Sequence, residues 1–451
     1  MGRITLQQAA AWCGGRIDPK YADVTFTGAN NDSRKIQPGQ LFIALVGERD
    51  GHDYIPSAVK NGAAAVLCSH CEADIPAIVV ENPLKALGDI ARQERLRIGM
   101  QVVGVTGSVG KSTTKELIAC VLGAKYRVAK TPANHNNDIG MPMAVLEMPE
   151  DTEVAVIEMG MNHFREIAYL SSISQPDMAV IINIGTMHIE HLGSQEGILK
   201  AKLEILEGMK PQSPIFLNGD DRLLWGEREK IAAPVTYFGA NNTASALVAE
   251  NARQTEEGLC FDVKAGAVQL PVCLHLEGDH YILDAMAAVA VGLHMGVTPE
   301  QITAALLDFR NLAGRQEIFE QKGYTIIKDC YNAGPESRAA ALTVLGKKEG
   351  RRIAVLGDML ELGDRAPQEH TRIGRLAAKN AQLVLAYGPH SKYVVSGAAE
   401  CGMQDAMAFD DRDALAATLK NLARPGDVLL FKGSHGMHME LALEKFLQDE
   451  T

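Results

Sequence analysis

Positive charge is in deficit in this chain: 44 Lys and Arg stand against 56 Asp and Glu, a net charge of −12. Nucleic-acid binding needs a basic face to neutralise phosphates, so this balance excludes nucleic acid as the main partner. Any anionic ligand must be held by local features, such as helix N-termini and a few cations. Long hydrophobic runs are missing too. No apolar stretch reaches the roughly 20 residues of a membrane-crossing helix, which argues against membrane insertion. The opening Met1-Gly2-Arg3-Ile4-Thr5 has neither the charged nor the apolar region of a signal peptide, and Leu6 stands where myristoylation of Gly2 would want Ser or Thr. Cysteine is sparse: eight residues, scattered, with only Cys68-Ser69-His70-Cys71 spaced like a metal knuckle and no second pair to complete four ligands. The chain reads as cytoplasmic, with reduced thiols.

What is present is material for cores. With 46% hydrophobic residues, 451 residues exceed what a single core organises, and two or three domains are expected. One stretch dominates. Val102-Val103-Gly104-Val105-Thr106 is an apolar, β-branched strand that stops at Gly107-Ser108-Val109-Gly110, and Lys111-Ser112-Thr113 opens a helix predicted to run through Leu122. Such a loop holds a nucleotide triphosphate. Glycines let backbone N–H groups close on the phosphates, the lysine adds a point charge, and the following hydroxyl ligates Mg²⁺. The glycine of the general phosphate-loop pattern is Val105 here, so the match is to the shorter T-G-S-x-G-K-S form.

Before this loop, residues 1–98 carry three short buried strands, at 41–45, 64–67 and 77–80, separated by polar clusters. The clusters, Asn31 to Lys35 and Gly47 to Asp53, suit a binding module. From about 100 to 310, strands alternate with helices, which predicts a parallel sheet with ligands at the strands' C-terminal ends. Thr131 to Pro142 is a loop rich in donors and acceptors. The strand Val154–Glu158 ends in a carboxylate, a natural second anchor for Mg²⁺ beside a phosphate loop. Asn162-His163 follow it. The strand 178–183 empties into Gly185-Thr186-Met187-His188, and the next helix carries Lys200-Ala201-Lys202, which periodicity alone reads as solvated lysines. Residues 241–276 read as an antiparallel excursion. A boundary is expected near Asn311 to Arg315, and beyond it a second doubly wound unit, with strands ending at Asp329-Cys330-Tyr331-Asn332, Gly357-Asp358, Tyr387-Gly388 and Lys432-Gly433-Ser434. Its ligand edge should face the phosphate loop across a cleft.

These motifs resemble the Mur ligases of peptidoglycan synthesis over nearly the whole chain. The residues that carry the resemblance are Asp32-Ser33-Arg34-Lys35, Asp50-Gly51-His52-Asp53, the phosphate loop, and Asn134-His135-Asn136-Asn137-Asp138-Ile139-Gly140-Met141-Pro142. Glu158 to His163, His188, Lys200-Ala201-Lys202, Asp329 to Pro335, Gly357-Asp358-Met359 and Lys432-Gly433-Ser434 complete the set. The N-N-x-I-G-x-P and Y-N-A-x-P forms point to a member that couples D-alanyl-D-alanine to UDP-N-acetylmuramoyl-tripeptide, and no D-x-P-R motif of the sister enzyme is present.

The resemblance implies an α/β fold of three domains. A small α/β UDP-sugar domain would span 1–98, a central phosphate-loop ATPase domain 99–312, and a Rossmann-like domain for the dipeptide 313–451. It also implies a monomeric, ATP-dependent, ADP-forming ligase that works through an acyl phosphate with two Mg²⁺. Ser33 and Arg34 would lie near the uridine nucleotide, and His52 would belong to the substrate-binding residues. Asn134, Asn136, Asn137, Asn162 and His163 would belong to the substrate site, with Tyr331, Asn332 and Lys432 for the dipeptide. Thr106 to Thr113, Asp284 and Arg315 would hold ATP. Ser112 and Glu158 would bind one Mg²⁺, and His188 with an N6-carboxylated Lys202 the second. Arg315, Asp329 and Lys432 would be brought in by closure of the third domain, excluding water. Three departures stand out: Ala133 at the head of the asparagine loop, Tyr281 and Asp284 where the family has asparagines near adenine, and His435 where arginine is usual. They leave open a paralogue that uses another amine or acyl acceptor.

Overall fold

The computed structural model describes residues 4–312 and 314–448, whose strands form four sheets. Ile4–Thr5 pairs antiparallel with Thr25–Phe26. A parallel four-stranded sheet follows in the order Ala29–Asn30, Leu41–Ile43, Ala65–Cys68, Ala77–Val79. The strand expected over 41–45 ends at Ile43, because the chain turns back and Gly51 N–H donates to Leu45 C=O at 2.8 Å. The helix Pro83–Ile98 is set by its ends, with Asn82 capping the Lys85 N–H, proline in the first turn and Gly99 in the left-handed conformation. It packs on the helices Gly140–Leu146 and Glu166–Ser174, so one apolar core runs on across residue 98. Arg95 ties it down, donating to Ser174 C=O at 2.9 Å and to Asp177 at 2.7 Å.

The central sheet has nine strands. Val128–Lys130, Val154–Glu158, Gln101–Thr106, Met178–Ile181, Ile215–Asn218 and Val235–Gly239 lie parallel, and Leu247–Thr255, Gly258–Ala265 and Val268–Leu274 extend it, the last two antiparallel to their neighbours. Both faces are covered, which explains continuous apolar strands. Val102 enters one core, while Val103 and Val105 enter the core beneath the helix Tyr281–His294. The excursion over 241–276 is thus part of the central sheet. Its register sets Cys260 opposite Cys273, and the two are joined by a disulfide. The expectation of reduced thiols is corrected at this pair, since strand pairing brings together two cysteines that sequence spacing leaves apart.

The third sheet runs Glu317–Gln321, Tyr324–Asp329, Val428–Lys432, Arg352–Gly357, Leu383–Tyr387, Ala406–Phe409, parallel except for its first strand. Apolar cores cover both of its faces. Ala313, where the third domain is expected to begin, lies outside the described residues, as do residues 1–3 and 449–451 at the two ends. No helix among the described residues is long and apolar enough to cross a membrane.

Candidate functional site

The C-terminal edges of the central and third sheets meet at a cavity of about 460 Å³. The phosphate loop forms one wall. Gly110 closes it in the left-handed conformation (φ 88°), where a Cβ would also collide with the Asp284 carboxylate, so glycine is required. Asn183, at the end of the neighbouring strand, grips the loop. Its Oδ1 accepts from the Ser108 and Val109 N–H groups at 3.0 and 2.9 Å, and its Nδ2 donates to Val109 C=O at 2.8 Å. Lys111 Nζ folds back to Gly107 C=O at 2.9 Å, and burial lowers its pKa.

Ser112 is the hub. Its hydroxyl donates to Glu158 Oε2 at 2.6 Å and accepts from Arg315 Nη2 at 2.8 Å. Asn136 Nδ2 donates to Glu158 Oε1 at 2.8 Å, which fixes the carboxylate from its other side. The guanidinium of Arg315 lies 4.0 Å above the Tyr331 ring. Asp284 is buried and accepts from Thr114 Oγ1 at 2.9 Å; burial pushes its carboxyl up to about 8. At neutral pH it is protonated and can donate as well as accept.

The opposite wall comes from the third sheet. Lys432 is buried, donating to Asp329 Oδ2 at 2.6 Å and to Asn332 C=O at 3.1 Å. His188, in the left-handed conformation (φ 62°), faces Glu361 across the junction, Nδ1 to Oε2 2.5 Å.

The cavity therefore gathers Ser108 to Thr113, Asn134, Asn136, Glu158, Asn162, His188, Asp284, Arg315, Asp329, Tyr331, Asn332 and Lys432, so the two sheet edges do face one another as expected. Other expected residues sit elsewhere. Thr106 donates to Met159 C=O at 2.9 Å beneath the loop, and a Cβ at Gly107 would sit 3.2 Å from Ile182 Cβ. Asn137 caps the helix Gly140–Leu146, accepting from the Gly140 N–H at 2.8 Å. His163 is exposed and bonds Glu166. Lys202 is 2% exposed, buried below the cavity rather than solvated, with no hydrogen bond or ion pair to its amine among the described residues; burial, and then the Lys111 charge, holds its pKa well below the ordinary value. Ser33, Arg34 and His52 lie in the loops of the parallel four-stranded sheet and do not line this cavity. Ser33 is buried, Arg34 extends into solvent beside Asp32, and His52 is held by Asp50 at 2.6 Å and by the Ser69 hydroxyl at 3.0 Å.

Sequence reasoning missed Asn183, Thr186, Glu336 and Glu361 as members of the junction. Only Asn183 carried a signal, a polar residue closing an apolar strand.

Three family models match the chain: "Mur ligase family, catalytic domain" over residues 25–95, "Mur ligase middle domain" over 105–292 and "Mur ligase, glutamate ligase domain" over 314–435. The chain is 37% identical, over 99% of both chains, to UDP-N-acetylmuramoyl-tripeptide–D-alanyl-D-alanine ligase of Bacillus subtilis (strain 168). A crystal structure of MurF from Acinetobacter baumannii superposes over 100% of both chains with TM-score 0.92 at 31% identity. That of MurF ligase from Thermotoga maritima in complex with ADP covers 93% of this chain and 97% of its own, with TM-score 0.82 at 29% identity. With sequence and architecture agreeing along its whole length, the chain belongs to the Mur ligase family.

Proposed function

We propose that the chain is an ATP-dependent, ADP-forming ligase that joins D-alanyl-D-alanine to the terminal carboxylate of UDP-N-acetylmuramoyl-tripeptide, a cytoplasmic step of peptidoglycan synthesis. The observation that carries this reading is the single cavity shared by the phosphate loop, Glu158 and the Asp329–Lys432 pair. It joins a triphosphate site to a polar site on a separate sheet, as a two-substrate ligation requires.

Three domains divide the work, with residues 1–98 for the UDP-sugar, 99–312 for ATP and 313–451 for the dipeptide. The loop N–H groups and Lys111 hold the β and γ phosphates, offsetting the repulsion between triphosphate and carboxylate. The γ-phosphoryl group passes to the tripeptide carboxylate, giving ADP and an acyl phosphate. The dipeptide amine attacks the acyl carbon, and the tetrahedral intermediate expels phosphate. Arg315 and Lys432 counter the developing charge, and Asp329, Tyr331 and Asn332 position the dipeptide. Ser33, Arg34 and His52 serve the uridine nucleotide; Asn134, Asn136, Asn162 and His163 serve the acyl substrate.

The donor set fits Mg²⁺. Ser112 and Glu158 place two hard oxygens together, the kind of ligand this ion takes. Lys202 fits carbamate formation: burial and the Lys111 charge lower the pKa of its amine, which favours the neutral form that attacks CO₂. The N–C bond forms with loss of a proton, and the resulting carboxylate would join His188 as a second oxygen-containing ligand set. When bound, the ions neutralise phosphate charge.

Phosphate release from ATP is measured with UDP-N-acetylmuramoyl-tripeptide and D-alanyl-D-alanine, separately and together. Release that needs both, with a UDP-pentapeptide product, is expected. No release with any amine would overturn the assignment.

A further inference from the structure

One carboxylate in the cavity is left half-satisfied. Glu336, in the first turn of the helix Pro335–Gly346, reaches across the junction, and its Oε1 accepts from the Thr186 N–H at 3.0 Å and from the Thr186 hydroxyl at 2.9 Å. Its other oxygen, Oε2, is shut off from solvent and has no hydrogen-bond partner among the described residues. The carboxylate lies over Gly185 and against the phosphate loop: a Cβ at Gly185 would sit 3.1 Å from both Glu336 Oε2 and Ser108 Cβ. Gly185 leaves that space open, since its missing side chain is what lets the carboxylate approach.

A buried carboxylate oxygen without a donor is costly, and ground this close to a reaction centre calls for a donor that comes with a substrate. Like charge excludes the triphosphate and the tripeptide carboxylate as its partners. The incoming amine is a substrate group that arrives positively charged, with N–H bonds to donate, and that must come to this junction to react. Position along the chain agrees. Glu336 is separated from Asn332, whose carbonyl Lys432 holds, by Ala333, Gly334 and Pro335 alone.

We propose that Glu336 receives the amino group of the incoming dipeptide, an inference that rests on the ligase reading above. Oε2 accepts an N–H of the ammonium and takes the proton that nitrogen must lose before it attacks. The freed lone pair then forms the N–C bond, and the C–O bond to phosphate breaks with its electrons leaving on phosphate. The Thr186 contacts at Oε1 aim Oε2, so Thr186 is a positioning residue.

The test separates the two half-reactions. Acyl phosphate formed from ATP and UDP-N-acetylmuramoyl-tripeptide is trapped by excess hydroxylamine as a hydroxamate, which bypasses the dipeptide site. Full ligation is followed with D-alanyl-D-alanine as the varied substrate. In Glu336→Gln, kcat/KM for the dipeptide is expected to fall about 10- to 100-fold, the range for losing a charge-assisted hydrogen bond. Hydroxamate formation should persist, which reports an intact fold. Thr186→Val, which keeps the carboxylate, should fall less than about threefold. The proposal is overturned if the two variants fall equally, which would make Glu336 a latch between sheets. An unchanged dipeptide kcat/KM would also overturn it, as would an altered Mg²⁺ dependence of hydroxamate formation, the mark of a metal ligand. A wild-type enzyme that yields neither hydroxamate nor UDP-pentapeptide would overturn the ligase reading itself, and this inference with it.

Discussion

The two walls of the cavity are built to different standards of completeness. On the phosphate-loop side the polar groups are joined in closed chains: Arg315 to Ser112 to Glu158 to Asn136, Thr114 to Asp284, Asn183 to Ser108 and Val109. On the third-sheet side the Lys432–Asp329 pair and Glu336 Oε1 are comparably tied. Among the described residues Glu336 Oε2 has no hydrogen-bond partner; behind the cavity lining, neither do Nε and Nη1 of the fully buried Arg338, whose Nη2 is on Gly357 C=O and whose pKa burial pushes down to about 10. A nucleotide triphosphate is the same in every turnover and can be met by a finished surface. The other wall leaves the Glu336 Oε2 acceptor open, as a surface completed by its substrate would.

If that contrast is right, a deletion should act differently on each side. The largest effect is expected at Lys202, beneath the finished wall. Lys202→Ala should lower ligation at least about 100-fold, the scale for losing a preorganised charge group. Its melting temperature should hold or rise, because the lost amine is buried without a partner. Full activity in this variant would refute the carbamate assignment. Next is Lys432→Ala, which strands Asp329. Breaking a buried pair costs about 3–5 kcal/mol, measurable as a drop in the denaturant midpoint. Dipeptide kcat/KM should fall further than acyl-phosphate formation, and equal losses in both would erase the distinction between the walls.

Read on stability rather than on turnover, the third effect is a pH dependence at Asp284. An unfolded aspartate titrates near 3.9, whereas burial holds this one at about 8. Between those values the fold keeps a proton that the unfolded chain has lost. Stability is therefore complete below about pH 4, declines as pH rises toward 8 and levels off above it. Asp284→Asn should flatten the melting temperature between pH 5 and 9; an unchanged slope would mean that the carboxyl is ionised in the fold.

Contiguity decided what could be read in advance. Val102 to Thr113 was legible because strand, turn and helix onset are adjacent in the chain, and Glu158 because a carboxylate ends an apolar strand. Lys202 was named only through the family resemblance, since by periodicity alone a lysine at helical spacing looks solvated. The Cys260–Cys273 bond depends on cross-strand register, which spacing does not reveal. Thr186 and Glu336 meet only because two sheets abut, being 150 positions apart in the chain. Ser33, Arg34 and His52 were found by motif, yet their loops lie off the central cavity, so motif and location are separate questions.

Asn183 carries a consequence on the timescale of amide hydrogen exchange. Its side chain already holds the Ser108 and Val109 N–H groups, so the loop keeps its curvature without a guest, and little ordering entropy is charged to nucleotide entry. The Ser108 and Val109 amides should exchange slowly in the free protein. Added ATP should slow exchange chiefly at the unclaimed amides that follow, from Gly110 to Ser112. Asn183→Ala should transfer that protection from the resting protein to the nucleotide complex, turning a rigid receptor into one that must set around its ligand.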